Sequence, residues 1–252
     1  AYAQLLKEGK ISDKEPVNVV VPTGNFGNIL AAYFAKNMGL PIAKLICASN
    51  ENKVLFDFFR TGIYDRNREF VLTSSPSMDI LISSNLERLI YLIAGSDAEK
   101  NKELMMQLSM SGKYEITTKM QEKLQDFYGG FADEAETAKM IRSLCDDCGY
   151  VIDPHTAVAA CVYEKYKAET KDGTKTIIAS TASPYKFTRS VMRALGKDEG
   201  EADDFVLADR LSELSGVKIP EAVEGIRTAP VLHDTVCEKG EMADAVRRYL
   251  GI

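Results

Sequence analysis

Apolar residues follow two different spacings in the first third of the chain. Residues 17–21 and 42–49 are nearly continuous apolar runs, as found in parallel strands buried on both faces. Residues 29–38 repeat apolar side chains every three or four positions, the spacing of an amphipathic helix. Residues 50–62 show the same helical spacing, and residues 70–73 form a further short apolar run. This alternation predicts a βαβ arrangement followed by a third strand, and therefore a mostly parallel sheet with flanking helices.

The middle of the chain has a helical pattern without an expected strand. The spacing predicts four consecutive helices, at residues 78–94, 98–109, 117–127 and 134–148. A buried strand is expected again at residues 175–180, and a helix at residues 187–195. We therefore expect an open, twisted α/β domain over residues 1–200 with a helical insertion at about 78–148, and a helical tail over 201–252 that packs on this domain.

The composition argues against several classes of protein. With 252 residues and 45% hydrophobic content the chain can bury a core, and a formal net charge of −6 argues against a surface for nucleic acid or anionic membrane. No apolar stretch approaches the roughly 20 residues that a membrane-spanning helix needs. The five cysteines are odd in number and unpatterned, which favours reduced thiols and a cytoplasmic location. The chain begins at Ala1 without a methionine, within a helix-like stretch, so we interpret it as a fragment of a longer protein.

A glycine-rich turn lies between the first expected strand and the first expected helix. This glycine turn, residues 22–28, has the sequence Pro-Thr-Gly-Asn-Phe-Gly-Asn. Gly24 and Gly27 can adopt positive φ and let the main chain approach a ligand closely. The first N–H groups of the following helix have no partner within the helix, and the helix dipole adds positive potential there. The turn therefore predicts a phosphate site, to which the hydroxyl of Thr23 and the two asparagine amides can add contacts.

The glycine turn by itself leaves the kind of ligand open. Many turns between a strand and a helix use glycine only for geometry, and that alternative remains. The turn is not a Walker loop, because no Gly-Lys-Ser/Thr follows it. It also lacks the third glycine of a dinucleotide-binding fingerprint.

A second polar segment follows the strand expected at residues 175–180. Residues 180–187 read Ser-Thr-Ala-Ser-Pro-Tyr-Lys-Phe, and ligands bind at the carboxyl ends of strands in open α/β sheets. Thr181 offers a neutral hydroxyl that can hydrogen-bond a ring nitrogen without protonating it. The alternative for a serine or threonine in this position is a helix cap or a turn. Lys186 is either a contact to a substrate phosphate or a solvated lysine.

A third segment, Asp-Pro-His-Thr-Ala at residues 153–157, has the pattern of a helix start. Asp153 or the threonine can cap the helix, and proline is favoured in its first turn. His155 is one of only two histidines, so no histidine metal cluster can form, and local packing is favoured over catalysis. Cys145 and Cys148 have redox or zinc spacing but no second cysteine pair, so we expect no metal site.

Five motifs together resemble threonine synthase and occur in that enzyme's order over about residues 17–195. They are Val-Pro-Thr-Gly-Asn-Phe-Gly-Asn at 21–28, Ala-Ser-Asn-Glu-Asn at 48–52, Ser-Pro-Ser-Met-Asp-Ile at 75–80, Asp-Pro-His-Thr-Ala-Val-Ala at 153–159, and the segment at 180–187. The resemblance implies a pyridoxal-phosphate enzyme of the tryptophan-synthase-β-like fold (fold type II). Such enzymes convert O-phospho-L-homoserine and water to L-threonine and phosphate.

The resemblance also implies roles for individual residues. The cofactor phosphate would be held by the glycine turn, through Gly24, Asn25, Phe26, Gly27 and Asn28. Thr181 would hydrogen-bond the pyridine nitrogen, a neutral contact that tunes the cofactor as an electron sink. A substrate role is implied for residues at matching positions near the active site, namely Asn50, Asn52, His155, Ser183 and Lys186.

One element of the family's pattern is missing from this sequence. In the family, the lysine that forms the Schiff base precedes the glycine turn by well over a hundred residues. Here only 23 residues precede Gly24, and Lys7, Lys10 and Lys14 lie in a polar context without a matching motif. That lysine is both the cofactor's covalent partner and a proton shuttle. We therefore expect no catalytic residue in this chain, which alone would be inactive and bind the cofactor weakly if at all.

Two alternative functions stay open at this point. Another pyridoxal-phosphate eliminase of the same fold, such as a serine/threonine dehydratase or cysteine synthase, would share the glycine turn but would not explain the motifs at 75–80 and 153–159. A non-catalytic phosphate-binding or regulatory module would lack the lysine by nature. In every case the expected ligand is a small molecule rather than nucleic acid or membrane, and the oligomeric state is not predicted.

Overall fold

The structure, a computed structural model, describes residues 1–197 and 200–252. The chain divides into two compact units, residues 1–217 and residues 218–252. The described residues form six strands: β1 (Val17–Pro22), β2 (Ile42–Ser49), β3 (Ile63–Asp65), β4 (Lys113–Glu115), β5 (Phe127–Phe131) and β6 (Thr176–Ile178). The helices of the first unit are α1 (Tyr2–Lys7), α2 (Gly27–Asn37), α3 (Val54–Thr61), α4 (Leu86–Ile93), α5 (Ala98–Ser111), α6 (Thr118–Glu122), α7 (Glu134–Cys148), α8 (Pro154–Thr170), α9 (Thr188–Ala194) and α10 (Asp204–Ser215).

A four-stranded parallel sheet forms the centre of the first unit, with strand order β5-β2-β1-β6. The strands expected at 17–21 and 42–49 are β1 and β2, which occupy the two central positions. Their side chains are buried on both faces, because helices cover the sheet on each side. Val21 and Cys47 pack with α2, α3 and α4, whereas Val20 and Ile46 pack with α8 on the opposite face.

The strand expected at 175–180 is shorter and less buried than its apolar sequence suggested. Strand β6 has three residues, and all of them are only half-buried. Its position explains this difference, since β6 pairs with β1 alone and lies at the edge of the sheet.

The helix expected at 117–127 is shorter in the structure, and the segment 78–148, expected as a helical insertion, also contains strands β4 and β5. Only 118–122 is helical, and Phe127 begins a strand parallel to β2. Two glycines give this segment its place in the core. A Cβ on Gly130 would lie 2.5 Å from Cγ1 of Val162 in α8, and one on Gly129 would lie 3.0 Å from Cβ of Phe59 in α3. The strand is therefore sandwiched closely between helices on both faces.

The segment between α3 and α4 also differs from expectation. Residues 70–73 are not a strand, and of the helix expected at 78–94 only α4 is regular, preceded by one 3-10 turn at Pro76–Met78. We call residues 71–81 the strap. The regular pairing nearby is instead the antiparallel pair of β3 and β4, in which the rings of Tyr64 and Tyr114 stack with centroids 5.3 Å apart.

The second unit, residues 218–252, contains α11 (Glu221–Ile226) and α12 (Met242–Leu250), both within the segment expected to be a helical tail. The domain boundary expected at residue 200 stays a prediction, and α10 lies with α9 in the first unit. Within the described ranges, every helix is too short or too polar to cross a bilayer.

Candidate functional site

The carboxyl ends of β1, β2 and β6 meet at one edge of the sheet. Pro22 pairs with Ala48 of β2, and Val20 pairs with Ile178 of β6, so the segments that follow these strands start side by side. The glycine turn follows β1, the strap lies against that turn, and the start of α8 reaches the same edge. There Oγ1 of Thr156 and Oγ of Ser180 lie 3.2 Å apart, within hydrogen-bond distance. The three polar segments singled out in the sequence are therefore brought together.

The backbone of the glycine turn is shaped by Phe26 rather than by its glycines. Phe26 has φ of +66°, a left-handed conformation that is unfavourable for a bulky residue. Its ring is 1% exposed and packs in the core beside the rings of Phe59 and Phe127, which holds the residue in place. Gly24 and Gly27 are not at positive φ, contrary to the use of glycine expected from the sequence.

Gly24 is required by close packing against the strap. A Cβ on Gly24 would lie 2.5 Å from the carbonyl oxygen of Ser77 and 3.2 Å from Cα of Met78. The turn's carbonyls are also held from the same side: Oγ of Ser83 donates to the carbonyl of Gly24 at 2.7 Å, and the N–H of Asn85 donates to the carbonyl of Asn25 at 3.1 Å.

The N–H groups from Gly24 onward, in contrast, have no acceptor in the described part of the chain. From Gly24 to Ile29 none of these six backbone donors makes a hydrogen bond, and the first such bond of α2 runs from Leu30 to Phe26. Asn25, Gly27 and Asn28 are exposed. A row of unpaired donors at the N-terminus of an eleven-residue helix can bind an anion through hydrogen bonds and the helix dipole together.

Asn50 and Asn52, expected to contact substrate, are buried and bonded to the strap. Nδ2 of Asn50 donates to Oδ1 of Asp79 at 2.8 Å, to Oγ1 of Thr73 at 2.9 Å and to Oγ of Ser75 at 3.1 Å. Oδ1 of Asn50 accepts from the N–H of Asn52 at 3.0 Å. With 2% and 4% exposure, the two amides have no polar atom left facing solvent.

The side chain of Asn52 takes the place of a neighbouring strand for the strap. It donates from Nδ2 to the carbonyl of Val71 at 2.7 Å and accepts from the N–H of Val71 at 3.0 Å. Nδ2 also donates to Oδ1 of Asp79 at 3.0 Å. The strap is extended here because a side-chain amide, rather than a strand, satisfies its backbone.

His155 is buried at the start of α8 and uses both ring nitrogens within the protein. Nδ1 lies 3.1 Å from Oδ1 of Asp153, and the N–H of Ser77 donates to Nε2 at 3.3 Å. Since Nε2 is an acceptor, the proton of the neutral ring lies on Nδ1, facing the carboxylate. The ring is 2% exposed and packs on Phe187 with centroids 4.7 Å apart. This arrangement agrees with the local packing favoured from the sequence.

Asp153 is the N-cap of α8. Its carboxylate accepts from the N–H groups of His155 at 2.9 Å and Thr156 at 3.3 Å, and from the Thr156 hydroxyl. Burial alone raises the pKa of Asp153, but these hydrogen bonds outweigh it and leave the pKa below its ordinary value. Asp153 is therefore a charged structural acceptor at neutral pH.

The predicted residues after β6 are more accessible. Thr181 is exposed, and its hydroxyl makes no hydrogen bond within the described residues. Oγ of Ser183 accepts from the N–H of Tyr185 at 3.3 Å and so caps a 3-10 turn, the alternative role considered from the sequence. Lys186 is exposed, with Nζ 5.5 Å from the ring centroid of Phe187.

Two residues that the sequence motifs contained, but that were not predicted as part of the site, are central to its geometry. Asp79 accepts four hydrogen bonds, two from Thr73 within the strap and two from the side-chain amides that follow β2. Ser77 joins His155 to the glycine turn. The signal available in the sequence was the position of both residues in the Ser-Pro-Ser-Met-Asp motif. Four of their partners, Gly24, Asn50, Asn52 and His155, are 27 or more residues away in the chain, so the motif could not reveal them.

The thiol beneath the glycine turn is inert. Cys47 pairs with Val21 in the sheet and is fully buried. Burial raises the pKa of Cys47 to about 12, and a hydrogen bond with Thr23 only partly offsets this. The thiol therefore contributes to packing rather than to chemistry at this site.

Comparison with known proteins identifies relatives of the chain. A family model described as "Threonine synthase, C-terminal" matches residues 156–233. Human threonine synthase-like 1 is 48% identical over 197 residues, which cover 77% of this chain and 26% of that protein. The expected resemblance to threonine synthase is thus confirmed in sequence.

Two solved structures show the same relationship in three dimensions. Pyridoxal-phosphate-bound threonine synthase from Brucella melitensis aligns with a TM-score of 0.71 and 37% identity, covering 86% of this chain and 44% of that one. Threonine synthase from yeast aligns with a TM-score of 0.83 and 31% identity, covering 99% of this chain and 50% of that one. The expected fold, with helices around a mostly parallel sheet, is confirmed. The chain spans about a quarter of the human relative's length and about half of each of these two structures.

Proposed function

We propose that this chain is the C-terminal part of a threonine synthase and that its glycine turn holds the phosphate of pyridoxal phosphate. The observation that carries the proposal is the row of unpaired N–H donors from Gly24 to Ile29 at the N-terminus of α2. The relatives support the choice of ligand, because the similar Brucella melitensis enzyme is described with this cofactor bound.

The donors of this edge fit the chemistry of the cofactor. A phosphate monoester accepts hydrogen bonds only, and the exposed turn offers N–H groups and the side-chain amides of Asn25 and Asn28. Oγ of Ser49, at the carboxyl end of β2, is a further buried polar atom without a partner. The free hydroxyl of Thr181 would bond the ring nitrogen as a neutral group. When bound, the cofactor supplies the electron sink that stabilises negative charge on substrate carbon.

The full-length enzyme would convert O-phospho-L-homoserine and water to L-threonine and phosphate. Of the proposed substrate residues, Lys186 is exposed and cationic, and it would attract the substrate's phosphate. Ser183 would hold the turn that carries Lys186. Asn50, Asn52 and His155 would act on the ligands only through the strap, since their polar atoms are bonded within the protein.

We propose further that the lysine which binds the cofactor covalently is not among these 252 residues. Lys7, Lys10 and Lys14, which precede the turn, are exposed and lie outside the glycine-turn segment. The chain alone would then bind the cofactor weakly and without a covalent bond. A cytoplasmic location is our proposal as well, supported by five unpaired cysteines.

The experiment compares pyridoxal phosphate with pyridoxal, which lacks the phosphate. Isothermal titration of the 252-residue chain should show binding of the phosphate form and of inorganic phosphate, and no binding of pyridoxal. Equal binding of both aldehydes would contradict the phosphate site. Borohydride reduction followed by peptide mapping tests the second point: stoichiometric labelling of one lysine would show that the covalent partner is present after all.

A further inference from the structure

We propose that Asp79 is a positioning residue for the glycine turn: it closes the strap into a fixed loop whose Ser77 carbonyl holds the turn in its anion-binding shape. The inference rests on the proposed function, because it concerns the phosphate site of that function. It adds a residue that neither contacts the ligand nor belongs to the turn.

Asp79 is the centre of the strap's hydrogen bonds. Its Oδ1 accepts from Oγ1 of Thr73 at 2.7 Å, and from the amides of Asn50 and Asn52 at 2.8 and 3.0 Å. Its Oδ2 accepts from the N–H of Thr73 at 2.8 Å. Four donors on one carboxylate link the two ends of the loop 73–79 to each other and to the segment after β2. Hydrogen bonds to an ionised acceptor are about twice as strong as neutral ones.

The loop that Asp79 closes presents the Ser77 peptide to two neighbours. On one side the N–H of Ser77 donates to Nε2 of His155. On the other side its carbonyl oxygen lies so close to Gly24 that a Cβ there would be 2.5 Å away. The peptide is thus fixed between α8 and the glycine turn, and it limits the positions that Gly24 can take.

This contact matters because the turn has little else to hold its donors. The N–H groups from Gly24 to Ile29 make no bond within the described chain, so only packing and the two bonds to the carbonyls of Gly24 and Asn25 fix their directions. An anion binds most tightly to donors that already converge, because less conformational entropy is lost on binding. Loosening the strap should therefore weaken anion binding even though no donor is removed.

The variant Asp79→Asn tests the inference, with Asp97→Ala as the matched control. Asparagine has the same shape but places an NH₂ group where donors now converge. Asp97 is the N-cap of α5, where it accepts from the N–H of Lys100, so its loss destabilises the fold without touching the strap. Both variants are titrated with inorganic phosphate and with pyridoxal phosphate at a temperature where each is fully folded.

We expect Asp79→Asn to raise both dissociation constants by about tenfold, the effect of one lost charge-assisted hydrogen bond. Asp97→Ala should leave them within about twofold of the parent chain. The double variant Asn50→Asp/Asp79→Asn restores one carboxylate to the pair and should recover part of the affinity. If Asp79→Asn does not fold, Thr73→Val removes the hydroxyl, which donates to Asp79 and accepts from Nδ2 of Asn50 and the N–H of Ser75, and leaves the carboxylate in place. This variant should raise the constants by a smaller factor. Unchanged affinity in the folded strap variants would overturn the inference and leave the proposed function standing.

A ligand-free measurement separates the two hypotheses. ¹⁵N relaxation of the Gly24 and Gly27 amides should show increased motion in Asp79→Asn and none in Asp97→Ala. If the parent chain binds neither phosphate compound, the proposed function is wrong, and the relaxation data alone decide the role of Asp79. Equal order of the two glycines in all variants would then refute it.

Discussion

The glycine turn and the strap lie against each other, yet they use their polar groups in opposite ways. In the strap, the side chains of Thr73 and Asp79 and the backbone of Val71 all find partners inside the protein. In the turn, six consecutive N–H groups find none. Folding satisfies the polar groups of the strap, whereas these N–H groups of the turn have no acceptor among the described residues and would be completed by the proposed ligand.

The comparison shows why residue type alone does not identify a ligand contact. Asn28 and Asn52 are both asparagines in motifs of the same family resemblance. Asn52 is 4% exposed and bonded at both ends of its amide, whereas Asn28 is exposed and unbonded. A buried amide must be satisfied internally, since an unpaired one costs about 1–3 kcal/mol. Burial therefore separates residues that build the site from residues that remain accessible to the proposed ligand.

The largest expected effect comes from Gly24→Ala, which forces turn and strap apart. The new methyl group would lie 2.5 Å from a backbone oxygen, so the backbone must shift, at a cost of about 3 kcal/mol in the free energy of unfolding. Phosphate binding should be lost with it. Urea denaturation and phosphate titration measure the two effects.

Gly27→Ala is the matched control for that change. Its Cβ would meet only Nδ2 of Asn85, at an ordinary distance of 3.6 Å, and alanine favours the helix it would start. Stability should stay within about 0.5 kcal/mol of the parent. Equal destabilisation by the two alanines would show that the close approach of turn and strap does not occur in solution.

A smaller effect is expected for Asp153→Asn, which tests the N-cap of α8, the helix whose His155 accepts a hydrogen bond from the strap. The amide cannot accept every bond from His155 and Thr156, and the free energy of unfolding at pH 7 should fall by about 2 kcal/mol. The effect should depend on pH. The folded-state pKa of Asp153 is lowered, so its contribution is complete above the unfolded pKa of about 4 and is lost as pH falls through the lower folded value.

The measurement is the difference in unfolding free energy between the parent chain and Asp153→Asn from pH 7 down to acid. This difference should shrink below about pH 4. A difference that stays constant over the whole range would mean that the carboxylate's charge does not stabilise the start of α8.

The smallest of the three effects is expected for Asn52→Ala. Val71 is only half-buried, so water can replace part of the lost pairing, and the free energy of unfolding should fall by about 1 kcal/mol.

Asn28→Ala, on the exposed turn, should change the free energy of unfolding by less than about 0.5 kcal/mol but weaken phosphate binding. The rate of hydrogen exchange at the Val71 amide should rise in Asn52→Ala and not in Asn28→Ala. Faster exchange in Asn28→Ala, or weaker phosphate binding in Asn52→Ala alone, would contradict the separate roles of strap and turn.

Sequence patterns were most informative where one local rule decides the structure. The apolar runs of β1 and β2 and the capping residue of α8 are read from neighbours in the chain. Strand β5 was not predicted, because Phe-Tyr-Gly-Gly-Phe has no alternation of apolar and polar residues. Its place in the sheet depends on helices that approach its glycines closely. At residues 70–73 the error was the opposite one: a strand was predicted and none formed. The side chain of Asn52 satisfies the backbone that a neighbouring strand would have paired.

Local patterns in the sequence were sufficient to predict the layered α/β fold, the resemblance to threonine synthase, and the place of a glycine-rich turn after β1. Each follows from spacing or from motifs that are continuous in the chain. Two features became visible only in the folded chain: Phe26, rather than a glycine, has the positive φ, and the Ser77 carbonyl leaves room only for glycine at position 24. The physical reason is that both depend on contacts between distant segments. A ring is buried against β5 and α3, and a peptide is held by α8, and neither contact leaves a trace in local sequence.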